Sequence, residues 1–412
     1  MTMGNGSAAT PNAAHSRPGS ATHRHAFWLV ATAFAATMAF TTVPTPLYSL
    51  YQARDGFPTL MITVIFAAYG FGVMGGLYFG GHVSDYLGRR RIFLAAVATE
   101  LVSCLMFVFL KDVTSLLIAR FICGAGIGAL TSTATAHLAE LRGIGSPEED
   151  SRRASLVASA VNPGGLALGP LIGGILSQWL PNPLTLPFLA FFVTLVLVGA
   201  IAFVVPETVD VPAQRPSYQP QRVSVSPEVR SEFIASGLAA AGSFAVLGFF
   251  TSLTGSVLGE VMHQHSRLLT GSVVFGAMGA SSVSQVAFHA LRPRLKLQAG
   301  IGLIVVGLVI VSIGTLIGSL ALFSIGGVVA GAGIGLIFAS SIAAANRMAD
   351  PARRGETVAG MFLAAYTGIT VPVIACGVLL TWVPTATLVV SFAALIIVVS
   401  TASTWQMLKY TR

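Results

Sequence analysis

Two ionisable residues stand inside apolar runs: Arg120 in LLIARFICGAGIG and Glu100 in IFLAAVATELVSCLMF. An arginine at membrane depth costs a few kcal/mol on insertion scales, so Arg120 should face a cavity or a partner. Helical spacing aligns it with Gly124, Gly128, Thr131 and Thr135 in a polar stripe. Such a group could bind a substrate or steer protonation; the plainer reading is a structural salt bridge. Glu100 lies about eight residues into its span, or ~12 Å at 1.5 Å per residue. There it could carry a proton, because a buried carboxyl group can exchange protons near neutrality. It could equally be the counter-ion of Arg120 on the adjacent helix, or a side chain that snorkels. Asn162, Tyr69, Tyr366 and Asn346 could line a cavity, although single amides and aromatics in spans more often serve packing.

The chain that positions these groups has 412 residues, 54% hydrophobic and only 9% charged. A soluble domain has about 25% charged residues, so a water-facing surface cannot be built from this chain. Residues 154–206, 297–346 and 357–408 carry no charge, and each is long enough for two spans of roughly 20 residues. Turn signals at Pro181–Pro183, Gly318–Ser319 and Val383–Pro384 divide them. Twelve helices are predicted, near 27–49, 59–81, 92–110, 114–138, 155–178, 186–205, 234–257, 269–290, 298–317, 320–344, 358–381 and 386–407. Long apolar runs of this kind exclude a membrane barrel. The net charge of +8 reflects orientation and not nucleic-acid binding. Basic residues gather on alternate loops, such as Arg89–Arg91, Arg142, Arg152–Arg153, Arg292–Lys296 and Arg353–Arg354. That asymmetry predicts both termini in the cytoplasm and the chain in the plasma (cytoplasmic or inner) membrane.

Cys104, Cys123 and Cys376 all fall in predicted spans, so no disulfide framework is implied. Residues 1–25 read as a disordered cytoplasmic tail with solvated His15, His23 and His25, and the first apolar run is too long for a removable signal. Pro44, Pro46 and Tyr48 are expected to shape the exit of the first helix and anchor it at the interface. His137 and His289 read as helix-end residues, and His263 and His265 lack the further ligands a metal site needs. The polar segment 206–232 reads as a cytoplasmic linker between an N-terminal bundle, 26–205, and a C-terminal bundle, 233–408, with 409–412 as a short tail. GAGIG occurs at Gly124–Gly128 and again at Gly331–Gly335. Each copy contains GxxxG, which lets membrane helices approach closely, and neither fits the GxGxxG of a dinucleotide fold.

After the second predicted span comes GGHVSDYLGRRR. Its Gly81, Asp85, Gly88, Arg89 and Arg90 resemble the loop signature GxxxDxxGRR of the major facilitator superfamily. By that resemblance the fold is two pseudo-symmetric six-helix bundles, all-α, working by alternating access. Asp85 and the arginines would latch the halves on the cytoplasmic side in the outward-open state. The second-half loop HALRPRLKLQ keeps Arg292, Arg294 and Lys296 but lacks the Asp and Gly-Arg. Arg120 matches the superfamily's fourth-helix arginine, with Cys123 where glutamine is usual. GGLALGPLIGG, with Gly165, Gly169, Pro170, Gly173 and Gly174, resembles the fifth-helix motif of the drug-proton antiporters and implies export. Many of those antiporters carry an acid in the first span, and none is present here.

The expected function is therefore proton-coupled efflux of small organic compounds by a monomer in the lipid bilayer, with uptake of a metabolite such as an organic anion as the alternative. A membrane enzyme or receptor is a distant third, since HExxH, GxSxG and a P-loop are absent. No catalytic residue, cofactor or metal is expected.

Overall fold

In the computed structural model, residues 20–145, 152–209, 218, 220, 223, 225–350 and 354–411 are described. Residues 1–19 of the expected tail 1–25, the loop 146–151, most of the linker and the side chains of Arg152, Arg153, Arg353 and Arg354 lie outside them; residues 20–25 instead begin the first helix, and His23, expected to be solvated, is buried there.

Fourteen α-helices follow one another among the described residues: α1 (Ser20–Thr42), α2 (Tyr48–Asp55), α3 (Thr59–Gly80), α4 (Ser84–Leu87), α5 (Arg89–Phe109), α6 (Val113–Gly145), α7 (Arg152–Trp179), α8 (Leu186–Val204), α9 (Arg230–Val261), α10 (Arg267–Ala287), α11 (Pro293–Leu316), α12 (Leu320–Met348), α13 (Arg354–Leu379) and α14 (Thr385–Tyr410). Helices α2 and α4 are short pieces beside α1 and α5; the other twelve match the twelve expected spans. Eleven segments meet the length and hydropathy of a membrane span. The remaining helix is α10, where Thr270, Gly271, Ser281, Ser282 and Ser284 are buried against protein. A helix enclosed by its neighbours does not need the apolar surface of a lipid-facing one.

Local chemistry sets the ends. Asp112 accepts from the backbone N–H of Ser115 at 2.9 Å and from its hydroxyl at 2.7 Å, which starts α6. These bonds hold the Asp112 carboxyl below the usual carboxylate range. Gly88 has φ 99, a conformation that favours glycine, and so joins α4 to α5 at a sharp corner. Several helices outrun their expected bounds. α6 continues to Gly145, past the predicted 138, because HLAELRG contains no breaker before its last residue. The first helix does the reverse: a single helix over 27–49 is interrupted after Thr42 and resumes at Tyr48.

The glycine pairs expected to pack do so in both halves, and in the same way. A Cβ on Gly124 or Gly128 would overlap backbone atoms of Tyr69 and Val73 on α3; on Gly331 or Gly335 it would overlap Ala277 and Ser281 on α10. The middle glycines face another neighbour. Gly126 lies against Thr99, Glu100 and Ala96 of α5, and Gly333 against Gly300 and Ile304 of α11. Thus α6 sits between α3 and α5 as α12 sits between α10 and α11, which is the relation of a six-helix repeat.

The halves meet along two seams, α3 with α13 and α7 with α10. Gly70 abuts Thr370 and Gly377 abuts Thr63 in the first seam; Gly271 abuts the Pro170 carbonyl in the second. Ser282 donates to the Ala160 carbonyl at 3.0 Å, and the Arg267 backbone N–H donates to Gln178 Oε1 at 3.2 Å. At the face away from the termini, α9 also packs on Thr45–Leu47 and α2.

Candidate functional site

The interruption of the first helix builds the centre of the site. Pro44 and Pro46 have no N–H, so the carbonyls of Phe40 and Thr42 lose their helical donors and α1 ends in the membrane. The last carbonyls of a helix carry partial negative charge. Arg120 is aimed at that end: its Nη1 donates to the Thr41 carbonyl at 2.5 Å. The guanidinium lies 4.5 Å from the ring centroid of Tyr69 and 5.9 Å from that of Phe66. Two aromatic faces and a helix end thus offset a buried cation. Arg120 is only 1% exposed and its Nε has no partner.

Glu100 is 0% exposed, and neither carboxyl oxygen has a hydrogen-bond partner. It forms no ion pair with Arg120; the ion pairs among the described residues lie elsewhere. The counter-ion reading of Glu100 is therefore narrowed: Arg120 bonds to the α1 carbonyl end and acts on Glu100 through its charge alone. Snorkelling is also excluded, since the side chain points into the α5–α6 packing beside Gly126. Cys123 is a neighbour of both Glu100 and Arg120.

Tyr69 and Tyr366 are the only pair of predicted cavity residues that meet across the halves among the described residues; Thr41 lies beside Tyr69 as well. Asn162 stands apart on α7, half-buried, and Asn346 donates to its own helix at Ile342, 3.0 Å. Thr131 and Thr135 also bond back to their own helix, so the stripe below Arg120 is less polar than its sequence suggests. Tyr48 is not an interface anchor. It is 3% exposed beside Arg120, with its hydroxyl unpartnered, because the break in α1 turns α2 inward.

The signature loop forms a second constellation. Arg89 pairs with Asp85 at 2.5 Å and Glu140 at 2.8 Å, and its Nη1 donates to Ser84 at 2.6 Å. Glu207 accepts from the backbone N–H groups of Arg89 and Arg90, at 2.9 and 3.1 Å, and caps α5. Every one of these partners belongs to the first half or the residues just after α8. Gly81 packs tightly on its own helix, 2.7 Å from the Leu77 carbonyl by the position of a Cβ. His137, expected at a helix end, is buried within α6, 3.2 Å from the Pro206 carbonyl. Glu140 and Glu207 were not visible as site residues, because only tertiary approach brings them to Arg89.

The fifth-helix motif divides its glycines between two neighbours. Gly165, Gly169 and Gly173 pack on Ala35, Ala39 and Val43 of the first helix and its exit, whereas Gly174 packs on Arg267 and Leu268 of the opposite half. Pro170 interrupts this helix where its carbonyl meets Gly271.

A sequence profile of the Major Facilitator Superfamily matches residues 26–371. The chain belongs to this superfamily. Among its relatives, the Major myo-inositol transporter IolT of Bacillus subtilis (strain 168) is 37% identical over 71 residues, 17% of this chain and 15% of that protein. Puromycin resistance protein pur8 of Streptomyces alboniger is 34% identical over 116 residues, 28% of this chain and 22% of that protein. The matches thus cover less than a quarter of these relatives' length. Two solved structures share the fold: the human organic anion transporter MFSD10, with TM-score 0.68, 16% identity and coverage of 94% of this chain and 100% of that one, and the nucleoside transporter NupG, with TM-score 0.71, 10% identity and coverage of 92% and 99%. Membership of this superfamily supports secondary transport of small molecules across a lipid bilayer in general.

Proposed function

We propose that this transporter exports small amphipathic organic compounds in exchange for protons, with both termini in the cytoplasm and the plasma (cytoplasmic or inner) membrane as its site. The observation that carries the reading is a fully buried Glu100 that forms no ion pair among the described residues. Arg120 donates to the α1 carbonyl end, so Glu100 feels the arginine's charge without being paired to it. Such a carboxyl group can gain or lose a proton according to which way the site opens. The first-helix acid of other antiporters is replaced by two parts: a helix break that holds the arginine, and an acid on α5 that carries the proton.

The fifth-helix glycines support export, and a relative named for puromycin resistance is compatible with it. The halves are taken as 26–205 and 233–408, joined by 206–232, in a monomer. With the termini inside, α9 against Thr45–Leu47 and α2 closes the outer face. Asp85, 61% exposed and bonded among the described residues only to its own half, is then the released form of the latch. The unpartnered Arg120 Nε favours a second reading, uptake of an organic anion.

Accumulation of a compound panel in cells making wild type or Arg120→Ala tests the direction. Export predicts at least one compound whose accumulation falls with wild type and recovers with the variant. Raised uptake with no lowered accumulation would favour the second reading.

A further inference from the structure

A continuous series of aromatic rings leads away from Arg120 into the second half. Phe66 and Tyr69 on α3 have ring centroids 6.5 Å apart, and Tyr366 of α13 lies beside Tyr69. From Tyr366 the series passes to Phe244 of α9 at 5.5 Å, to Phe338 of α12 at 4.8 Å from Phe244, and to Phe362 of α13 at 5.9 Å from Phe338. The three phenylalanines are half-buried. Phe244 packs on the cores of both halves, and Phe362 on the core that joins the first half to Tyr366 and Ile369. Phe244 and Phe362 therefore lie where the halves face each other, and Phe338 packs against both of them.

The second-half spans around these rings hold no fixed charge: residues 233–259, 297–346 and 357–408 contain no acidic or basic side chain. The one cation near the series is Arg120. A guanidinium has five N–H donors in a planar fork suited to a carboxylate, and here a hydrogen bond to the Thr41 carbonyl engages Nη1 while Nε has no partner. A flat apolar body would stack on the rings, since aromatic pairs gain energy beyond simple area burial.

We propose that the preferred substrates are aromatic acids, with the carboxylate on Arg120 and the ring system along Tyr366, Phe244, Phe338 and Phe362. This rests on Arg120 holding the substrate's charge, as the second reading above has it. The rings set preference for an aromatic over an aliphatic body, and Arg120 sets preference for an anion over a cation. Phe244, Phe338 and Phe362 are thus specificity-determining residues. A cation would be drawn to the ring faces but repelled by the guanidinium.

The test is equilibrium binding to the purified full-length protein, with 2-naphthoate, decanoate and 2-naphthylmethylammonium as probes, followed by ligand-dependent thermal stabilisation. Naphthoate should bind more tightly than either of the others. Phe338→Leu and Phe244→Leu keep apolar volume and remove the ring; each should weaken naphthoate about tenfold while changing decanoate less than about threefold. Arg120→Gln should weaken both acids and spare the amine. An amine that binds as tightly as naphthoate, or equal weakening of naphthoate and decanoate by the leucine variants, overturns the proposal. Because no gradient is imposed, the result is separate from proton coupling: naphthoate that binds as described but never moves in exchange for protons would count against the antiport reading alone.

Discussion

The two copies of GAGIG occupy equivalent places and differ in what stands four residues before them. In α6 that position is Arg120, turned to the broken end of α1. In α12 it is Gly327, and a Cβ there would come within 2.9 Å of the Phe250 ring. The middle glycine repeats the contrast: Gly126 borders Glu100, whereas Gly333 borders Gly300 and Ile304. One scaffold thus carries charge in the first half and a ring in the second. Repeated packing and unrepeated chemistry can be separated, because backbone approach needs only the absence of a side chain, while ion binding needs a particular one.

The largest break of that comparison is Arg120→Ala. Losing a charged hydrogen-bonding group from a dry site costs about 1.5–3 kcal/mol, so transport of the best substrate should fall about 10- to 100-fold. Efflux assays at matched expression check it, and Gly327→Ala in the other half should leave at least half of the activity. Glu100→Gln is next. It should abolish transport driven by a pH gradient while counterflow of substrate persists; retention of pH-driven transport would move the proton elsewhere.

Gly124→Leu and Gly331→Leu sharpen the shared side of the comparison. Each forces a side chain into backbone of a neighbouring helix, and overpacking of this kind costs about 1–3 kcal/mol or more. Thermal stability of the purified variants should drop by similar amounts, and a large disparity would mean the two glycine seams are not equivalent. Asp85→Asn should have the smallest effect, slowing transport severalfold with binding unchanged. Asp85 keeps most of its exposure and shares Arg89 with Glu140. Equal loss of binding and transport would contradict its role as a latch.

Much of the scaffold was legible in the chain. Uncharged runs marked the spans, and the GxxxG spacing of Gly124 and Gly128 marked close packing. The signature loop identified its own residues but not their partners, since Glu140 and Glu207 lie 51 and 118 residues from Arg89. Arg120 and Glu100 were conspicuous as charges in apolar sequence, yet their relation was not. A structural salt bridge between them was a fair inference from two neighbouring spans. No direct bridge forms, because VPTP removes two backbone donors and exposes the end of α1 to the arginine, an effect that depends on where the backbone stops and not on any charged side chain. Tyr48 was misjudged for the same reason: the break carries it inward.

The central claim is that Glu100 is the group that takes up and releases the proton. Infrared difference spectroscopy of the purified transporter in lipid vesicles, stepped between alkaline and acidic pH, reads carboxyl protonation directly and needs no known substrate. The account predicts a buried carboxylic-acid band that titrates in wild type, is missing in Glu100→Gln and persists in Asp85→Asn. A spectrum unchanged by Glu100→Gln would contradict it.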